Sequence, residues 1–121
     1  YWPQLREDDF DMYLLGWSPG TFDMEHPIRF LKHTQDDEKK LGSWNFGNFS
    51  NARVDELLPM IQQEIDPAKR QAMIDEVVAI SQEEVAYIPL YTQPLVWAAK
   101  DGVDLVQRAD NFFLLRWVTV N

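Results

Sequence analysis

The sequence has no cysteine among its 121 residues, which excludes disulfides and every thiolate-based metal or redox site. Histidine is nearly as scarce, with only His26 and His33, seven positions apart. A transition-metal site needs three or four convergent ligands, and His26 with Asp23 and Glu25 is the best cluster available. No metal site and no cofactor are therefore expected, and His26 reads as a surface loop histidine. Basic residues are outnumbered, 11 against 20 acidic, for a net charge of −9. Such a chain repels phosphate backbones and anionic membranes, so no nucleic-acid partner is expected. No apolar run approaches the ~20 residues that span a bilayer. The opening Tyr1-Trp2-Pro3-Gln4-Leu5 has no basic flank followed by an apolar stretch, so no signal peptide is expected within these residues.

What the chain does have is a respectable apolar share, 45% hydrophobic with 26% charged, which is the balance of a folded globular protein. At this length one domain spanning residues 1–121 is the expectation. The sixteen aromatic residues divide it further: ten lie from Tyr1 to Phe49, six from Tyr87 to Trp117, and none from Ser50 to Ala86. The expected fold is α+β, with an aromatic strand-and-loop front, a central antiparallel helix pair and C-terminal strands.

In the front, Phe10 to Leu15 follows an acidic cluster (Glu7, Asp8, Asp9, Asp11) and reads as a buried strand closed by Gly16. Pro19 and Gly20 then make Gly16–Gly20 a loop, and Pro27–Lys32 reads as a short helix with proline in its first turn. The run from Gln35 to Lys40 is solvated, and Gly42 to Asn51 is a polar, aromatic loop. In the middle, Ser50 is the expected N-cap of a helix carrying Val54, Leu57, Leu58, Ile61 and Ile65 at helical spacing. Pro59 should kink it. Asp66-Pro67 starts a second helix, with Met73, Ile74, Val77, Val78, Ile80 and Val85 as its apolar stripe. Beyond it, Tyr87–Tyr91, Leu95–Ala99 and Phe112–Val120 read as strands, with a turn at Lys100-Asp101-Gly102.

Catalytic patterns are missing. Ser18 lacks the Gly-x-Ser-x-Gly elbow and has no histidine placed to activate it, and the paired carboxylates (Asp8/Asp9, Asp36/Asp37, Glu83/Glu84) read as solvated runs. No catalytic residue is nominated and the protein is not expected to be an enzyme. The aromatic loops hold more promise. Trp17 stands at the end of the expected strand, where it either meets a ligand or plugs the core. Trp44, Phe46 and Phe49, interleaved with Asn45, Asn48 and Asn51, either line a polar ligand or fold onto the helix pair.

One ordered set of segments carries a resemblance. Gly16-Trp17-Ser18 precedes a loop with Asp23, then Phe49-Ser50-Asn51, Val54-Asp55-Glu56-Leu57-Leu58, Asp66-Pro67-Ala68-Lys69-Arg70 and Glu83 to Tyr91. This resembles the C-terminal part of the family 5 extracellular solute-binding proteins, the dipeptide, oligopeptide and nickel receptors of bacterial ABC importers. The resemblance implies part of the second lobe of a two-lobed periplasmic-binding-protein-like fold, in roughly the last quarter of a longer chain. Residues 88–121 would then be strands crossing toward the first lobe. It also implies a periplasmic or extracytoplasmic location, a small-molecule or peptide solute, and an ABC permease as partner.

In peptide-binding members the Gly-Trp-x segment lines the cleft, which maps to Gly16, Trp17 and Ser18. Many members place an Asp three residues after the Trp to hold the peptide ammonium. Here that position is Gly20, and Asp23 is the nearest replacement. A buried ammonium without a carboxylate is costly, so a neutral or differently anchored solute is expected. The competing expectation is a protein-interaction module that self-associates through exposed strand edges or an apolar patch.

Overall fold

The computed structural model describes residues 1–7 and 10–121, so the acidic cluster's Asp8 and Asp9 lie outside the described residues. The chain falls into two compact units, Tyr1–Ile88 and Pro89–Asn121. Its class is α+β, with four α-helices and a two-stranded antiparallel sheet among the described residues.

The first unit is built on the expected helix pair, α3 (Ala52–Gln63) and α4 (Pro67–Glu83). Both starts are written in side chains. The Asn51 carboxamide oxygen accepts from the amides of Arg53 and Val54, and the Asp66 carboxylate accepts from Ala68 and Lys69 ahead of Pro67 at the first helical position. The cap of α3 is thus Asn51 and not Ser50, one residue later than expected, because the amide side chain reaches two backbone donors. Pro59 lies on the exposed side, and the helix continues past it to Gln63.

The pair is antiparallel: Asn51 and Arg53 at the start of α3 meet Glu84 and Glu76, while Ile61 near its end meets Arg70. Val54, Leu57, Leu58 and Ile61 pack against Ile74 and Val77, with Ile28 completing a buried cluster. Leu41, Phe49, Met73 and Ile80 lean on its edge. Two residues of the expected stripes fall outside it. Ile65 is 94% exposed in the turn between the helices, and exposed Val85 follows α4.

Helix α4 ends in a Schellman arrangement, in which the amide of Ala86 bonds the carbonyl of Ser81. The left-handed position is filled by Val85 at φ 51°, where a β-branched side chain is strained.

Ahead of the pair come α1 (Trp2–Arg6) and a helical segment formed by α2 (Glu25–Pro27) running into one π-helical turn, Ile28–Lys32. The helix expected over Pro27–Lys32 is therefore present, but it starts two residues earlier. The turn Asp36–Leu41 is closed by a reciprocal backbone pair at 3.0 Å. Gly42 follows at φ 60°, and a Cβ there would lie 2.4 Å from the His33 carbonyl oxygen. Only glycine fits that corner.

The expected strand at Phe10–Leu15 is not formed: the segment enters no ladder. An apolar run signals burial, but a strand also needs a partner edge, and here Met12 and Leu14 stay exposed. The same correction applies in the second unit to Tyr87–Tyr91, whose first two residues end the first unit, and to Leu95–Ala99. Neither holds a strand. The last expected strand contracts to β2 (Thr119–Val120), preceded by a 3-10 turn at Leu115–Trp117. It pairs with β1 (Val103–Asp104), Val103 opposite Val120 and Asp104 opposite Thr119. The turn at Lys100-Asp101-Gly102 is present, with Gly102 at φ 82°.

Candidate functional site

Rigid support in the first unit comes from Asn45, which is fully buried. Its amide nitrogen donates to the carbonyls of His33 and Phe49 at 3.0 and 2.7 Å, and its oxygen accepts from the Phe49 amide at 3.1 Å. Every polar atom of that side chain is thereby used to pin the 42–51 loop to the end of the π-helical turn. The loop residues divide between both readings the sequence left open. Phe49 packs on the helix core, Asn51 caps α3 and Asn45 is structural, while Trp44 and Phe46 build an aromatic row.

That row is where Trp17 sits. Its ring lies 5.5 Å from Trp44 at a steep 67°, 5.5 Å from His26 and 6.1 Å from Phe30. Trp44 continues edge-on to Phe46 at 5.9 Å, and Phe46 to Tyr13 at 6.2 Å. These inclined, offset contacts are the favourable arrangement for aromatic pairs, and they fix the rings against one another. His26 is half-buried between Trp17 and Phe30 and is no loop surface residue, contrary to the sequence reading. Among the described residues no group of three metal-ligating side chains converges.

The row holds polar atoms without partners. Trp17 Nε1 and His26 Nδ1 are both buried and make no hydrogen bond among the described residues, and the same holds for Arg29 Nε. Buried polar groups are nearly always satisfied, so these three atoms stand out within the row and beside it. Tyr13 Oη also lacks hydrogen-bond geometry, although it faces the Tyr87 phenol closely enough for the two to perturb each other. Burial pushes both phenols above their ordinary pKa, and Tyr87 donates to the Leu31 carbonyl. Lys32, half-buried over the Tyr87 ring at 5.5 Å, is held below its ordinary pKa by desolvation.

The other residues nominated from the sequence surround Trp17 differently. Gly16, Ser18 and Gly20 are exposed, and a Cβ at either glycine would meet nothing within 4 Å. Neither glycine is there to make room. Asp23 is committed: its Oδ1 accepts from the Glu25 amide at 2.8 Å, starting α2, and from Arg70 Nη2 at 2.9 Å. The Arg70 guanidinium beside it holds the Asp23 carboxyl below its usual range. Arg70 also reaches the Ile61 carbonyl at 3.2 Å, strapping the loop to the helix pair. That role of Arg70 has no local sequence signal, since 47 positions separate it from Asp23.

Below Phe46 lies a cavity of about 350 Å³ between α1, the turn at 35–37 and the 42–48 loop, lined in part by Arg6, Asp37 and Ser43. Sequence reasoning nominated none of these three for binding.

No family model matches the chain, and no solved structure does. The chain is 30% identical over 103 residues to a curated protein of Escherichia coli (strain K12), described as "Probable deoxycholate-binding periplasmic protein YgiS". The match covers 85% of this chain but only 18% of that protein's length. No helix among the described residues is long and apolar enough to cross a membrane.

Proposed function

We propose that the chain supplies part of the ligand-contacting wall of a periplasmic solute-binding protein of the family 5 type, without catalysis, feeding an ABC permease. One observation carries the reading: the Trp17 indole stands in a fixed aromatic row with its Nε1–H buried and unpaired, beside the exposed loop Gly16–Gly20. A flat apolar face with an unused donor suits a small solute that offers a rigid apolar body and an acceptor. The similarity to a probable deoxycholate-binding protein of the periplasm supports both the compartment and that ligand type.

The committed state of Asp23 bears on the solute's charge. Its carboxylate is engaged by Arg70 and by the start of α2, and Gly20 offers no side chain. An incoming peptide ammonium would have to displace Arg70, so the reading favours a solute without a free amino terminus.

Calorimetric titration with deoxycholate below its micellar concentration, and with a free dipeptide, tests this. Saturable deoxycholate binding that weakens at least tenfold in Trp17→Ala is the expected result. Tight dipeptide binding abolished only by Asp23→Ala would overturn the charge argument and return the peptide reading.

The second unit favours a second reading, a protein-interaction surface. Leu90, Tyr91, Val96, Phe112 and Leu115 are each more than 60% exposed, far more apolar surface than so short a segment normally leaves in water. Sedimentation that finds only monomer at high concentration would count against self-association through it.

A further inference from the structure

The cavity beneath Phe46 is a different place from the Gly16–Asp23 loop, and it has its own chemistry. Its volume of about 350 Å³ lies at the lower end of small-molecule sites. One wall is the Phe46 ring, held edge-on by Tyr13 and Trp44 and so fixed in orientation. The rest of the lining that matters is polar: Arg6, Gln35, Asp37 and Ser43.

These polar groups are presented by pinned backbone. Gln35 Nε2 donates to the Asn45 carbonyl at 2.6 Å and to Asn48 Oδ1 at 3.3 Å, which fixes its amide plane, while Oε1 has no hydrogen bond among the described residues. Asp37 rides on the turn closed by the Asp36–Leu41 pair, and Ser43 follows the tight corner at Gly42. Among the described residues Arg6 and Asp37 enter no ion pair, with each other or with anything else.

Arg6 and Asp37 are both exposed and offer opposite charges to one half-open hollow, so a ligand of a single charge gains at one and loses at the other. A ligand bearing adjacent hydroxyls meets both. Each hydroxyl donates and accepts, so a vicinal pair can donate to the Asp37 carboxylate and accept from the Arg6 guanidinium, with Ser43 and Gln35 Oε1 serving a third. The apolar C–H face of a pyranose ring covers an aromatic wall such as Phe46. We propose that this cavity is a binding site for a neutral, pyranose-sized polyol. The site shares Phe46 with the aromatic row, but its polar residues Arg6, Gln35, Asp37 and Ser43 belong to neither that row nor the Gly16–Asp23 loop, so they are tested apart from the solute-receptor reading.

The test is heteronuclear NMR titration of the whole chain with glucose, galactose, mannose and inositol, and in parallel with glycine betaine as a zwitterion. At least one polyol should produce saturable shifts at the amides of residues 35–37 and 43–48. Its affinity should fall at least tenfold in Asp37→Asn and in Phe46→Ala. Arg6→Gln, an exposed substitution that leaves the core untouched, should weaken it as well and guards against misfolding of the Phe46 variant. Failure of every polyol to saturate, or binding indifferent to Asp37→Asn and Arg6→Gln, would overturn the proposal. Saturable betaine binding that depends on Asp37, with no polyol binding, would replace the polyol class with a zwitterion. The deoxycholate titration depends on Trp17 and is read separately, so either site can fail without the other.

Discussion

Among the described residues between Tyr1 and Ile88, nine hydrophobic side chains besides Pro27 are buried, seven of them in one cluster around α3 and α4, whereas between Pro89 and Asn121 no residue is buried at all. Both stretches are rich in Leu, Val and aromatic residues, so composition does not separate them. Spacing and punctuation do. In the first unit apolar residues recur at helical intervals behind side-chain caps, and each helix closes its own backbone hydrogen bonds while it buries a face. The second unit has short β-prone runs whose ladders must come from elsewhere in the chain, and only two residue pairs form one. Local sequence can complete a helix. It cannot complete a sheet.

The sharpest way to press on that contrast is at the two left-handed glycines. Gly42→Ala places a Cβ 2.4 Å from the His33 carbonyl oxygen and should destabilise the first unit by upwards of about 3 kcal/mol in chemical denaturation. Gly102→Ala in the second unit meets only the Asn121 carbonyl oxygen at 3.5 Å, leaving backbone strain of about 1–2 kcal/mol. Equal effects would mean that the 33–42 corner is looser than described.

Next come paired leucines. Leu57→Ala empties a fully buried site and should cost about 2–5 kcal/mol, while Leu115→Ala, at a position 78% exposed, should fall within about 0.5 kcal/mol. A large loss at Leu115 would show that the second unit has a core of its own.

At the α4 terminus the expected sign reverses. Val85→Gly relieves a β-branched residue at φ 51° and should stabilise the protein by about 1 kcal/mol, read as a raised thermal midpoint. A lower midpoint would mean that the Val85 side chain contributes more packing than the strain costs.

The smallest effect is the Asp23–Arg70 bridge. Both side chains are partly exposed, so Arg70→Ala should cost under about 1 kcal/mol. The depressed carboxyl of Asp23 fixes the sign of its pH dependence. The contribution is fully present above the unfolded-state pKa near ~4 and is lost as pH falls through the lower folded value. An Arg70→Ala penalty that grows on acidification would contradict that assignment.

The site was legible in the sequence only where a residue's role is local. Trp17 stood out as an aromatic residue in a Pro- and Gly-punctuated loop, and it does join an aromatic row. Asp23 looked available for a ligand because nothing nearby in sequence claims it; Arg70, from the first turn of α4, does so in the fold. His26 read as a loop residue because no apolar periodicity surrounds it, yet the rings of Trp17 and Phe30 enclose it. Arg6 and Asp37 are ordinary surface charges in the sequence, and only the return of the 42–48 loop brings them to one cavity. By contrast the helix pair could be read almost residue by residue, down to Asp66-Pro67, with the cap of α3 misplaced by one because Ser50 and Asn51 are both competent.

The central claim is that the solute meets Trp17 in the first unit. The indole N–H resonances report on it directly, because Trp17 Nε1 is unpartnered while Trp97 Nε1 in the second unit donates to Asn111 Oδ1 at 2.7 Å. In a ¹H–¹⁵N titration with deoxycholate below its micellar concentration, the Trp17 and Trp44 indole signals should move saturably and the Trp97 signal should stay fixed. A stationary Trp17 signal, or a larger shift at Trp97 than at Trp17, would contradict the account.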